Sequence, residues 1–144
     1  MKKGFKKISR YITLYGFERT FIKVASRSKK TFFKYLIADY FKPKKNACVS
    51  LVGCGQFGFS TISFFLLKNR GNRFLDCYDI DPSRTKLTSS FFGYNQVDSF
   101  EELLNNDKLQ IVYIASNHFS HTKYAIECLK KNLSVYLEKP ISVS

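Results

Sequence analysis

Apolar positions along this chain follow two rhythms, and the change between them falls near residue 47. Before it the spacing is helical. Ile8, Tyr11, Ile12 and Tyr15 share one face, as do Phe21, Val24, Ala25 and Ser28, and then Phe32, Tyr35, Leu36 and Tyr40. Gly16 interrupts the first two stretches, so the pattern predicts two or three short amphipathic helices instead of one long one. Lys42-Pro43-Lys44-Lys45-Asn46 closes the region as a breaker.

From Ala47 onward, short apolar runs alternate with helical spacing. Residues 47–52 form an apolar run ending in glycine, which suits a buried parallel strand. Residues 56–69 read as a helix with Phe57, Thr61, Phe64, Phe65 and Leu66 on its buried side. A second strand is expected over 73–79. Asp81-Pro82-Ser83 is a helix-start signal, with proline at the first turn, and the helix runs to Phe92. Ser99-Phe100-Glu101-Glu102 fits a capping box that opens a helix of about two turns. A third strand over 109–115, a helix to Lys131 and a strand over Ser134–Leu137 complete the series. This alternation predicts an α/β fold: a Rossmann-type doubly wound parallel sheet of about five strands behind a basic helical extension.

Charge separates the same two regions. The net charge is +13, and 44% of residues are hydrophobic, enough to fold around a core. Residues 1–46 carry most of the lysines and arginines against only Glu18 and Asp39, whereas 47–144 is nearly neutral. The basic character therefore belongs to the extension. A helical cap, with its cations in water, is the plain reading of residues 1–46. Basic residues interleaved with Phe, Tyr and Ile also suit an anionic membrane surface. Nucleic acid is disfavoured as a partner, because no reading motif accompanies the charge. Cys48, Cys54, Cys77 and Cys128 are scattered, without metal-ligand spacing, and read as core thiols. No run approaches the roughly 20 apolar residues of a membrane span, and a cytoplasmic location is expected.

The sharpest motif is Gly53-Cys54-Gly55-Gln56-Phe57-Gly58, placed between the first strand and its helix. Gly53 allows the tight turn, Gly55 lets a pyrophosphate approach the backbone, and Gly58 lets the helix pack on the sheet. The amides of the opening turn, with Gln56 and Phe57, then face the phosphates. Asp79 ends the second strand about twenty positions later, the spacing of a ribose-binding acid. A methyltransferase loop follows an acid in its first strand, and residues 49–52 contain none. The glycines alone also admit a flavin, for which the chain is short. A dinucleotide is the expected cofactor. Asp79 favours NAD over NADP because a carboxylate repels a 2′-phosphate, although Arg84 stands where it could reach one.

Leu137-Glu138-Lys139-Pro140 closes the last strand, the end at which open α/β sheets bind ligands. With the glycine loop, the 78–84 strand end and the 114–121 segment, this turn resembles the glucose–fructose oxidoreductase / inositol dehydrogenase family (Gfo/Idh/MocA) over residues 47–144. The resemblance implies an NAD(P)-dependent enzyme that moves hydride to or from a sugar, nucleotide sugar or polyol. It implies that Lys139 contacts the reacting hydroxyl and assists proton transfer, and that Glu138 orients the nicotinamide ribose and Lys139. Many members carry Thr-Pro-Asn after the fourth strand, where this chain has Ser116-Asn117-His118. Ser116 supplies the hydroxyl there, Asn117 replaces proline and can equally cap the next helix, and His121 matches a histidine common in the family. His121 reads as near the cofactor or as purely structural.

The family's second domain, which supplies most of the substrate pocket, does not follow within these residues. The expectation is a fragment or truncated frame that binds a dinucleotide and turns over little substrate alone. The alternative is a non-catalytic dinucleotide-binding or regulatory module, attached to a membrane through its basic end.

Overall fold

The computed structural model describes residues 2–28, Lys44 and 46–142. The third helical stretch expected near 32–40 lies outside the described residues. Helix α1 (Lys2–Tyr15) and helix α2 (Phe17–Ser28) are separated at Gly16, whose φ of 81° only a residue without a side chain adopts freely.

Five parallel strands follow: β1 (Val49–Val52), β2 (Phe74–Tyr78), β3 (Asn95–Gln96), β4 (Ile111–Ile114) and β5 (Ser134–Leu137). Their order across the sheet is β3-β2-β1-β4-β5, so the chain moves outward to one side of β1 and then returns to the other. This is a Rossmann-like doubly wound sheet, and the reversal places a crevice above the carboxyl ends of β1 and β4. Helices α3 (Phe64–Arg70), α4 (Pro82–Phe92), α5 (Phe100–Leu104) and α6 (His118–Lys130) connect the strands. One core holds Leu51, Phe59, Phe64, Phe74, Phe91 and Phe92; the other holds Val52, Leu75, Leu103, Val112, Ile114 and Cys128. Leu51 and Val52 are adjacent in β1 and serve opposite faces, as the pleat requires.

Strand β2 breaks that alternation. Val49 pairs with Phe74 but Leu51 pairs with Cys77, so β2 carries one extra residue opposite β1. The irregularity returns Cys77 to the same core as Phe74. Beside it, the buried carboxylate of Asp76 accepts from the Asn95 amide at 3.0 Å and the Asn106 amide at 2.7 Å. It thereby ties β2 to the edge strand β3 and to the turn before β4.

The helix after the glycine loop differs from its expected form. Residues 58–63 form a π-helical turn, Gly58–Ser63, which runs on into α3. Within this turn the Ser63 hydroxyl donates to the Gly58 carbonyl at 3.0 Å, and that of Ser60 donates to the Gln56 carbonyl at 2.7 Å. The widened turn shifts the buried face. Phe59, Phe64 and Leu67 are interior, while Phe57 and Phe65 are exposed. Helix α2 crosses this segment and adds fully buried Ile22 and Ala25 to the core of Phe59 and Phe64.

Candidate functional site

The glycine loop is shaped by what surrounds it. Gly53 has a φ of 93° and its N–H donates to the Tyr78 carbonyl at 2.8 Å, turning the chain sharply out of β1. A Cβ on Gly53 would overlap the peptide joining Ala115 to Ser116, and one on Gly58 would strike the Gly53 carbonyl. Both positions are therefore closed to any side chain. Gly55 is different, because a Cβ there would meet only the Arg84 guanidinium, at 3.1 Å. Its backbone stands open to a ligand, beside the first helical turn, whose amides lack intrahelical partners.

Asp79 holds this loop to the end of β2. One carboxylate oxygen accepts from the Cys54 N–H at 2.6 Å, and the other from the Asp81 N–H at 2.9 Å. Each oxygen keeps further acceptor capacity toward a ribose hydroxyl. Asp81 caps α4 by accepting from the Ser83 N–H at 2.9 Å, and it pairs with Arg84 at 3.3 Å. Hydrogen bonds from Ser83, and secondarily from Arg84, hold the Asp81 carboxyl below the usual carboxylate range.

A cleft of about 470 Å³ lies over the strand ends. Among the residues expected from sequence, Gly53, Gly55, Asp79, Arg84, Ser116 and Asn117 line it together. Tyr124 lines it as well. This residue carried no motif in the sequence and looked like any aromatic at a core-facing position of a helix. Asn117 is the N-cap of α6, accepting from the Ser120 N–H at 3.1 Å, and the Ser116 and Ser120 hydroxyls are 2.7 Å apart. Gln56 and Phe57 are exposed at the start of the helix and do not line this cleft.

The second motif lies past the other side of β4. Glu138 extends the β4–β5 pairing by donating its N–H to the Ile114 carbonyl at 3.1 Å. His121 is buried behind the cleft and is not among its lining residues. One ring nitrogen, Nδ1, is 2.9 Å from the Pro140 carbonyl, and Nε2 is 3.1 Å from the Ser116 carbonyl. The ring thus bridges the turn after β4 and the turn after β5. Lys139 is exposed beside a cis Lys139–Pro140 peptide, and no hydrogen bond or ion pair engages its ammonium among the described residues. All four cysteines are buried and none forms a disulfide. Burial and the neighbouring Glu127 push the Cys128 thiol up to about 11, so it stays protonated near neutral pH.

Residues 48–144 match a family described as oxidoreductases with an NAD-binding Rossmann fold, Gfo/Idh/MocA. The chain belongs to this family. Among its relatives, an inositol 2-dehydrogenase of Rubrobacter xylanophilus is 28% identical over 96 residues, covering 67% of this chain and 28% of that protein. An oxidoreductase of Streptococcus pneumoniae is 28% identical over 94 residues, covering 65% of this chain and 25% of the relative. The chain thus spans between a quarter and a third of the length of these relatives. The WlbA dehydrogenase of Chromobacterium violaceum, solved with NADH and UDP-GlcNAcA, superimposes with a TM-score of 0.60 at 26% identity. That match covers 70% of this chain and 30% of the solved one. A biliverdin reductase from Synechocystis, in complex with biliverdin and NADP+, shares the fold at a TM-score of 0.62 and 21% identity, over 69% and 31% of the two chains. Gfo/Idh/MocA membership makes residues 48–144 an NAD(P)-binding Rossmann domain. Its three-glycine cradle, whose floor excludes a Cβ at two positions, fits the pyrophosphate of such a cofactor. No helix among the described residues is long and apolar enough to cross a membrane.

Proposed function

We propose that this chain holds the nicotinamide cofactor of a Gfo/Idh/MocA oxidoreductase that acts on a sugar, nucleotide sugar or polyol. The observation that carries the reading is the joint formed by Gly53, Gly55 and Asp79. A backbone cradle and a carboxylate already oriented by two amides line one cleft. In this reading the pyrophosphate lies over Gly55 and the start of the following helix, with Gln56, Phe57 and Gly58 forming that first turn. A ribose hydroxyl donates to Asp79. Ser116 and Asn117 border the middle of the cofactor. When bound, the nicotinamide supplies the hydride acceptor or donor.

The 138–140 turn serves the reacting end. Glu138 orients the nicotinamide ribose, and Lys139, its ammonium unengaged, moves the proton of the substrate hydroxyl. His121 positions that turn from behind. The relatives' coverage supports a division of labour in which these residues bind the cofactor and a further domain completes the substrate pocket. Binding without sugar turnover is the activity assigned to the 144 residues alone, in a cytoplasmic setting. Asp79 makes NAD the preferred cofactor, because its carboxylate attracts the 2′-hydroxyl and repels a 2′-phosphate. Fluorescence titration of the purified chain with NADH is expected to saturate. A chain that shows no saturable NADH binding refutes the proposal, and rapid sugar-dependent NADH production by it refutes the division of labour.

A further inference from the structure

We propose that the amino-terminal helices are part of the cofactor site, with Arg27 and Arg84 together seating a phosphate monoester on the adenosine ribose, so that the chain accepts NADPH as well as NADH. The inference rests on the dinucleotide reading above. It adds a specificity-determining residue from outside residues 48–144, the stretch that carries the family match.

A second hollow, of about 260 Å³, lies against the glycine loop. Gly55, Asp81 and Arg84 line both this hollow and the larger cleft, so the two share a wall. Ser26 and Arg27, from the last turn of α2, form part of its lining. Helix α2 is fixed in that place. Ile22 and Ala25 have no exposed surface, Lys68 donates to Glu18 at 3.0 Å, and the Arg19 guanidinium lies 5.0 Å from the Phe65 ring centroid. Arg27 is therefore carried to the loop on a docked helix. Its exposed guanidinium has no hydrogen-bond or ion-pair partner among the described residues.

The chemistry of the hollow is that of an anion site. Its lining includes two arginines, Arg27 and Arg84, against one carboxylate, Asp81, which is already engaged by Ser83 and Arg84, while the Ser26 hydroxyl donates to the Lys23 carbonyl at 2.9 Å. A phosphate monoester carries a charge of about −1.5 to −2 near neutral pH, and its oxygens match the planar guanidinium fork. The location also selects the 2′-position. Asp79, which lines only the larger cleft, bonds the N–H of Asp81, which lines both. A ribose held at Asp79 thus has its 2′-oxygen beside the shared wall. Asp79 repels a phosphate there, and the two arginines offset that repulsion. NADH binding accordingly depends on Asp79 and not on Arg27, whereas NADPH binding depends on both arginines.

Titrations of the 144-residue chain with NADH and with NADPH, and displacement by adenosine 2′,5′-bisphosphate or by 5′-AMP, test this. Wild type is expected to bind both dinucleotides, NADH more tightly. Arg27→Ala should weaken NADPH and the bisphosphate roughly tenfold, with NADH and 5′-AMP changed less than about twofold. Arg27→Glu should weaken NADPH further, and Arg27→Lys should restore part of the loss. Equal weakening of both dinucleotides, or undiminished NADPH binding in Arg27→Ala and Arg27→Glu, overturns the proposal. A wild type that binds NADH but not NADPH also overturns it while leaving the dinucleotide reading intact. Failure to bind NADH at all refutes that reading itself.

Discussion

The glycine loop that lines the cleft and the turn that follows β5 are held by different means. At the glycine loop, main chain presses on main chain: Gly53 lies against the Ala115–Ser116 peptide, and Asp79 ties two further amides to the end of β2. At the 138–140 turn, one buried ring, His121, lies with its two nitrogens against the Pro140 and Ser116 carbonyls and donates to one of them, while Lys139 projects without a partner among the described residues. The first is built for shape and tolerates almost no added atom. The second leaves its cation exposed and free to change rotamer. A rigid main-chain joint and an unengaged cation thus stand at two separate places in one Rossmann domain.

Gly53→Ala should break the comparison most severely. The new methyl group meets backbone and the φ of 93° is unfavourable, so stability should fall by roughly 3 kcal/mol or more, and NADH saturation should vanish. Chemical denaturation and fluorescence titration read the two effects. His121→Ala removes a buried ring whose N–H donates to one of the Pro140 and Ser116 carbonyls, and should cost about 2–3 kcal/mol in lost packing and hydrogen bonding. Its signature is regional: hydrogen exchange should accelerate at 138–142 with little change in β1. Equal acceleration in both places would remove the distinction between the two.

Smaller changes sharpen the contrast. Asp79→Ala should weaken NADH by roughly tenfold, since it removes both the ribose acceptor and the tie to Cys54. Alkaline titration probes the core beneath the glycine loop. Burial pushes the Tyr94 hydroxyl well above its ordinary range, against a smaller opposing effect of its hydrogen bond to Ser63. The unfolded chain loses that proton near pH about 10 and the folded chain does not, so this contribution is complete below that pH and lost above it. Tyr94→Phe should flatten the alkaline decline measured by urea unfolding. Lys139→Met should do least, with stability within about 0.5 kcal/mol of wild type and NADH affinity unchanged. A large loss of stability would show that Lys139 serves the fold.

Much of this architecture was legible because apolar runs announce themselves. β1, β4 and β5 are short apolar stretches bounded by turn residues, and the caps at Asp81, Ser99 and Asn117 appear where the side-chain chemistry indicates. β3 was not legible. It is two exposed polar residues, Asn95 and Gln96, and pairs through main chain opposite Asp76 and Cys77. The buried face after the glycine loop was misplaced, because the expectation assumed the ordinary helical period and Gly58–Ser63 adopts a wider one. The glycine loop and Asp79 were readable from spacing. Tyr124 in the cleft and Arg27 near the loop depend on long-range packing, which no local pattern records.

The contact between Gly53 and the Ala115–Ser116 peptide has a consequence for divergence. A floor made of peptide groups is the same whatever side chains surround it, so long as glycine remains at the point of contact. Substitutions at Cys54, Ala115 or Ser116 alter the walls and leave those groups in place. The backbone bed of this loop can therefore persist while most of the side chains around it are replaced.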